Sequence, residues 1–239
     1  EVGDRQVAFD LQRRQAFPSS VLANCMMTPE EYAKQTKNDF GVLSAKWLDV
    51  PLQRMDDELI PPEHRNNNCG PTSGSMVDEY YHEQRPGYGN FADPEHDPNP
   101  PPDHIHSWPD DHERLYVLMD CNPWWHGGVL PPNACSGFRS YATERGYNFS
   151  TYYDVAYDWD FTNRVVRHIN ANQPYMVLFR VAPDMPCWHW CTMSGYNTVG
   201  ESRYFWINNP WGSKWDQISY DVNWPYLTWA EMWPSNEGW

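Results

Sequence analysis

The stretch NNNCGPTSGSM, Asn66 to Met76, decides how the rest of the chain is read. A cysteine stands between three asparagines and Gly70-Pro71. Beyond it Met76, Val77, Tyr80 and Tyr81 recur at i, i+1, i+4 and i+5, one face of a helix. The spacing predicts a helix over about 71–84 with Cys69 at its amino-terminal end. Unpaired backbone N–H groups and the helix dipole there favour a thiolate over a thiol, which is what a nucleophilic cysteine needs. The Cys69 backbone N–H can itself serve as an oxyanion donor.

A thiolate also needs an imidazole to take up and return protons. Of the nine histidines, His64, His82 and His168 fall in helical or pre-helical contexts. His96, His104, His106 and His112 belong to a proline-rich run, which leaves His126 and His189. His189 opens HWCTMSGYN, residues 189–197, in which strand alternation sends His189, Cys191 and Met193 one way and Trp190, Thr192 and Ser194 the other. A sheet would then hold its ring. The next apolar segment, RYFWINNPWG at 203–212, ends in Asn208 and Asn209, and a side-chain amide there can accept a hydrogen bond from the imidazole and set its tautomer.

Outward from these residues, TPEEYAKQ at 28–35 has the capping box of a short helix over 29–37, and GVLSAKWL at 41–48 reads as a turn plus a short helix or strand. Residues 1–48 are expected to be an amino-terminal extension and 49–239 the main domain. Within that domain 86–112 is a surface loop, broken by prolines and rich in Asp and His. It suits a flap over a cleft, and no strict metal-ligand spacing appears in it, so no metal or other cofactor is expected. HERLYVLMD, CSGFRSYATERGY (ending at Gly146) and FTNRVVRHINANQ read as helices. YMVLFRVA, WHWCTMSGY and RYFWINNPWG read as strands, and WPYLTWAEMWP as core and sheet packing. Helices first and an antiparallel sheet or half-barrel last make an α+β fold.

Seventeen Lys and Arg against 32 Asp and Glu give a net charge of −15, which argues against nucleic acid and disfavours anionic partners while suiting cationic ones. No apolar run is long enough to span a membrane. Six cysteines stand at 25, 69, 121, 135, 187 and 191, and with Cys69 left free, Cys121 with Cys135 is the first disulfide expected. Cys187 and Cys191 are too far apart in an extended strand to bridge each other. The Asn148 sequon, the disulfide capacity and the scarcity of lysine point to a secreted, extracellular protein.

The three motifs in their order, NNNCGPTSGSM, then HWCTMSGYN, then INNPWG, resemble the papain-like cysteine peptidases and most closely their C39-like branch. GFRSYATERGY and NQPYMVLF between them also look like that family, and the resemblance covers about 49–215. It implies a papain-like fold and peptide-bond hydrolysis on a peptide or protein substrate, with Cys69 as nucleophile, His189 as general base then acid, and Asn209 as orienter. Trp211 resembles the tryptophan that shields the Asn and His contact. One departure concerns the oxyanion hole, where Glu63 stands six residues before Cys69 in place of the usual Gln. Gln53, in VPLQRM, is the substitute the resemblance offers. Glu63, the aromatic excess and the other cysteines sustain an alternative: an inactive papain-like protein serving as an extracellular structural, assembly or adhesion module. Nothing in the sequence speaks to self-assembly.

Overall fold

A computed structural model describes residues 44–56, 60–65, 68–92, 108–121, 128–155, 161–182, 185–199, 201–220 and 227–237. The helix expected at 29–37, most of the proline-rich run and His126 lie outside them. In chain order the elements are β1 (Ser44–Trp47), α1 (Cys69–Gln84), α2 (Trp108–Leu118), α3 (Pro131–Glu144), β2 (Phe149–Val155), a π-helical turn (Phe161–Val166) running into α4 (Arg167–Asn170), and then β3 (Tyr175–Ala182), β4 (Met185–Val199), β5 (Ser202–Asn209), β6 (Ser213–Ser219) and β7 (Leu227–Pro234). The expected order of helices and strands holds, and Ser44–Trp47 is a strand.

Helix starts differ from the expectation for one shared reason, which is that proline is tolerated where no intrahelical N–H is needed. α1 begins at Cys69 itself, with Pro71 inside its first turn. α2 begins at Trp108, with Pro109 second and Asp110 and Asp111 in the first turn where they complement the dipole. His112, read as part of the loop, is therefore a fully buried helical residue. α3 begins on two prolines, and the chain leaves it through Gly146 at φ 84°, the cap anticipated. FTNRVVRHINANQ is helical but divided into π and α turns, and Asn172 ends it at φ 57°.

Among the described residues seven strands form one antiparallel sheet in the order β2-β7-β3-β4-β5-β6, with β1 also paired to β4. β4 is the longest strand and is flanked on both edges, so residues 189–197 are buried throughout. α1 is buried from Cys69 to Tyr81, as expected of a helix enclosed between a sheet and other helices. At its far end Tyr81, Phe91, Phe138 and Phe149 pack edge to face and stacked, joining α1, α3 and β2. α3 closes on the end of α2 only because residue 137 is glycine, since a Cβ there would lie 2.7 Å from the Met119 backbone.

Three contacts aim this architecture at one place. The Thr192 hydroxyl donates to the Ser73 carbonyl at 2.9 Å, the Trp190 indole N–H donates to the Val129 carbonyl at 2.8 Å, and a Cβ at Gly70 would meet Val129 at 2.7 Å and Trp190 at 3.4 Å. The first turn of α1 is thus pressed onto β4 just beyond His189. The chain leading into α1 is stapled there too: Asn208 Nδ2 donates to the Val50 carbonyl at 2.6 Å and Asn68 Nδ2 to the Met55 carbonyl at 3.1 Å.

Candidate active site

The site is built from a helix end, a strand start and a turn. Asn68 precedes Cys69 but does not cap with its side chain, and α1 has no acidic residue in its first turn. Nothing acidic from that turn offsets the positive end of the helix at Cys69, which is buried at 8% exposure and forms no disulfide. An unbridged Cys69 removes one support of the alternative reading, which drew on the other cysteines.

Asn209-Pro210-Trp211-Gly212 makes the turn between β5 and β6. Gly212 N–H donates to the Asn209 carbonyl at 2.8 Å, proline suits the second position, and Gly212 takes φ 104°, which a side chain would resist. That turn returns Trp211 over the imidazole, with ring centroids 3.9 Å apart and planes at 16°. It also lets the Trp211 N–H donate to Asn209 Oδ1 at 3.0 Å. The same oxygen lies 2.9 Å from His189 Nε2. An amide oxygen only accepts, so Nε2 carries the proton and Nδ1 is left as the basic nitrogen. The Trp211 stack and the Asn209 contact are therefore both present. Asn208, the competing amide, is spent on Val50 and Pro51.

Burial sets the electrostatics. It pulls the His189 imidazole down to about 4, opposed by the Asn209 hydrogen bond, so the ring is neutral near pH 7. Burial and then the charges of Asp216 and Cys69 hold the Cys191 thiol well above its usual range. Burial and then Cys69 push Cys121 up to about 12, against a hydrogen bond from Tyr116. Cys69 thus has two neighbouring thiols held protonated.

Two expectations change here. Neither Cys121 nor Cys135 forms a disulfide. Cys121 faces the Cys69 and Tyr116 side, whereas Cys135 faces Thr151 on β2 and Glu231 on β7, so the two point to different parts of the core. Gln53 is buried beside α1, with its amide nitrogen 3.5 Å from the Ser75 carbonyl. Ser75 lies six residues along from Cys69, about 9 Å in helical rise, so this amide is directed along the helix flank instead of at the Cys69 N–H. Glu63 is solvent-exposed. Asp216, which accepts from Asn209 Nδ2 at 3.1 Å and is 1% exposed, was not anticipated. No motif spacing marks it, because it arrives across a hairpin. Among the described residues no cluster of three or more His, Cys, Asp or Glu is placed to hold a metal ion, and no helix among them is long and apolar enough to cross a membrane.

The chain matches the model of the Peptidase_C39 like family over residues 47–234. It belongs to that family. The match takes in Cys69, His189 and Asn209 and runs to the last residue of β7. Among solved structures this C39-like chain is similar to UfSP from C. elegans at 10% identity and a TM-score of 0.49, over 82% of its own length and 35% of the other chain. It spans about a third of that protein. No curated protein matches it.

Proposed function

We propose that the protein is a cysteine peptidase acting through Cys69, His189 and Asn209. The observation that carries this reading is the His189 to Asn209 hydrogen bond beneath Trp211, on a strand packed against the helix end that bears the unbridged Cys69. His189 Nδ1 takes the thiol proton, and Cys69 Sγ bonds to the scissile carbonyl carbon. As the C–N bond breaks, the imidazolium gives its proton to the leaving amine. Water deprotonated by His189 then attacks the thioester and releases the acid, restoring the thiol. The Cys69 N–H stabilises the oxyanion, and Gln53 joins it only after leaving Ser75. The charge of −15 favours cationic peptide segments as substrates, and we read the site of action as extracellular.

Burial favours a second reading, a catalytically silent module of the same fold, since Cys69 is 8% and His189 2% exposed. One experiment separates the two: alkylation with iodoacetamide, peptide mapping and cleavage of a denatured protein. The peptidase reading expects Cys69 to label and cleavage to disappear in step, and Cys69→Ser to be inactive. Cleavage that survives complete alkylation of Cys69 would overturn it, and an unreactive Cys69 with no cleavage supports the silent module.

A further inference from the structure

An asparagine is an ambiguous partner for a histidine. Its carbonyl oxygen accepts and its NH2 donates, and the two ends have nearly the same shape. If Asn209 presents oxygen to Nε2, the imidazole keeps its proton there and Nδ1 is basic. If it presents nitrogen, Nε2 must become the acceptor and the proton moves to Nδ1, which leaves the ring unable to take one from a thiol at that position. Something has to decide which end faces His189.

Two groups do so from opposite sides. The Trp211 backbone N–H donates to Oδ1 at 3.0 Å, and the Asp216 carboxylate oxygen receives Nδ2 at 3.1 Å. Turning the amide over would set Nδ2 against two N–H donors and the carbonyl oxygen against a carboxylate. Asp216 reaches this position because it is the cross-strand partner of Ile207, and an irregularity of register between Ile207 and Asn209 places Asn209 diagonally beside it. A carboxylate that is 1% exposed is costly to bury without a charge-assisted bond. An apolar side chain would pack there at less cost, so stability alone does not account for it.

We propose that Asp216 is a positioning residue that locks the Asn209 amide with its oxygen towards His189 and thereby holds the imidazole as its Nε2–H tautomer. It acts on the reaction through Asn209, as the fourth member of the chain Cys69, His189, Asn209, Asp216. This rests on the peptidase reading for its consequence in turnover, but not for the tautomer itself.

The test uses the full chain, 15N-labelled, with long-range 1H–15N spectra of the histidine ring beside peptide cleavage. The wild type is expected to show His189 protonated at Nε2 only. Asp216→Ala is expected to give a mixture of tautomers and to lower kcat by about a hundredfold with little change in KM, the scale of a misplaced catalytic group. Asp216→Asn, which keeps an acceptor for Nδ2, is expected to restore the tautomer. Within an Asn209→Ala background, removing Asp216 is expected to add no further change. A folded Asp216→Ala that retains the pure Nε2–H tautomer overturns the proposal, as does a further loss from Asp216→Ala in the Asn209→Ala background. Should Asp216→Ala not fold, exchange of the Asn209 side-chain amide protons in the wild type decides: slow exchange is expected, and exchange as fast as for exposed asparagines overturns the lock. If the wild type cleaves nothing while the tautomer behaves as expected, it is the peptidase reading that fails and not the lock.

Discussion

The sheet half and the helical half of this molecule treat buried charge in opposite ways. Around β4 to β7, the buried groups about the candidate site and Glu231 end on complementary partners. His189 meets Asn209, Asn209 meets Asp216, and Arg164, 5% exposed, donates to the buried Glu231 at 2.9 Å. Between α1, α2 and α3, buried acids crowd one another. Asp78 and Glu79 are adjacent on α1 with Asp111 of α2 close by, and burial followed by those like charges holds Asp78 well above the carboxylate range. Arg145 pairs with Asp111, but among the described residues Asp78 and Glu79 have no comparable cation. The sheet half thus sets its buried acids Asp216 and Glu231 against donors, while the helical half gathers carboxyls whose hold on their protons burial strengthens. Position in the fold, more than residue type, decides which regime applies.

Predictions from that contrast run from large to small. His189→Ala is expected to lower kcat for peptide cleavage by on the order of 10⁶-fold while leaving the circular dichroism spectrum unaltered, the scale seen when one member of such a constellation is removed. Activity near the wild-type level in that variant would break the sheet-side half of the comparison.

Glu231→Ala is expected to destabilise by up to about 3–5 kcal/mol in urea unfolding, because it removes the buried carboxylate that faces Arg164 and leaves that cation the longer, partly exposed contact with Asp154 at 3.4 Å. Glu231→Gln should recover part of the loss. A cost below about 1 kcal/mol, the level of exposed pairs, would mean that Asp154 and solvent satisfy Arg164 without Glu231.

Glu79 tests the helical side through pH. Burial, then Glu83 and Asp111, raises its carboxyl from 4.5 to about 8. The folded state therefore holds a proton that the unfolded state has already lost across that window, so this contribution to stability is full below about 4.5 and falls as pH rises towards about 8. Glu79→Gln should flatten the decline and be the more stable protein on the alkaline side by on the order of a few kcal/mol, read from unfolding midpoints across pH. An unchanged slope would place the proton elsewhere in the cluster. Last, Arg114 and Glu144 form a pair roughly half exposed on α2 and α3. Glu144→Ala should cost under about 1 kcal/mol by the same unfolding assay, and less still in high salt.

The sequence showed a good deal of the site and less of its wiring. Cys69, His189, Asn209 and Trp211 were legible because each is tied to a local signal: a helix start, an alternating strand, a turn of Asn-Pro-Trp-Gly. The π turn at 161–166, the edge strands β2 and β6 and the buried place of His112 were not, because tertiary packing sets them. A helix that begins four residues early on Trp108-Pro109 looks, in sequence, like the end of a proline loop.

What the chain by itself determined was chemistry and order: a thiol at a helix end, an imidazole on a strand and an amide at a turn, in an α+β sequence of elements. Those properties follow from local backbone geometry, which neighbouring residues dictate. Only the tertiary structure decided that Cys121 and Cys135 remain thiols, that the Gln53 amide lies on Ser75, that Asn209 and not Asn208 meets His189, and that Asp216 stands behind it. Each of these depends on which groups meet across strands and layers, and on what burial costs a charge when they do.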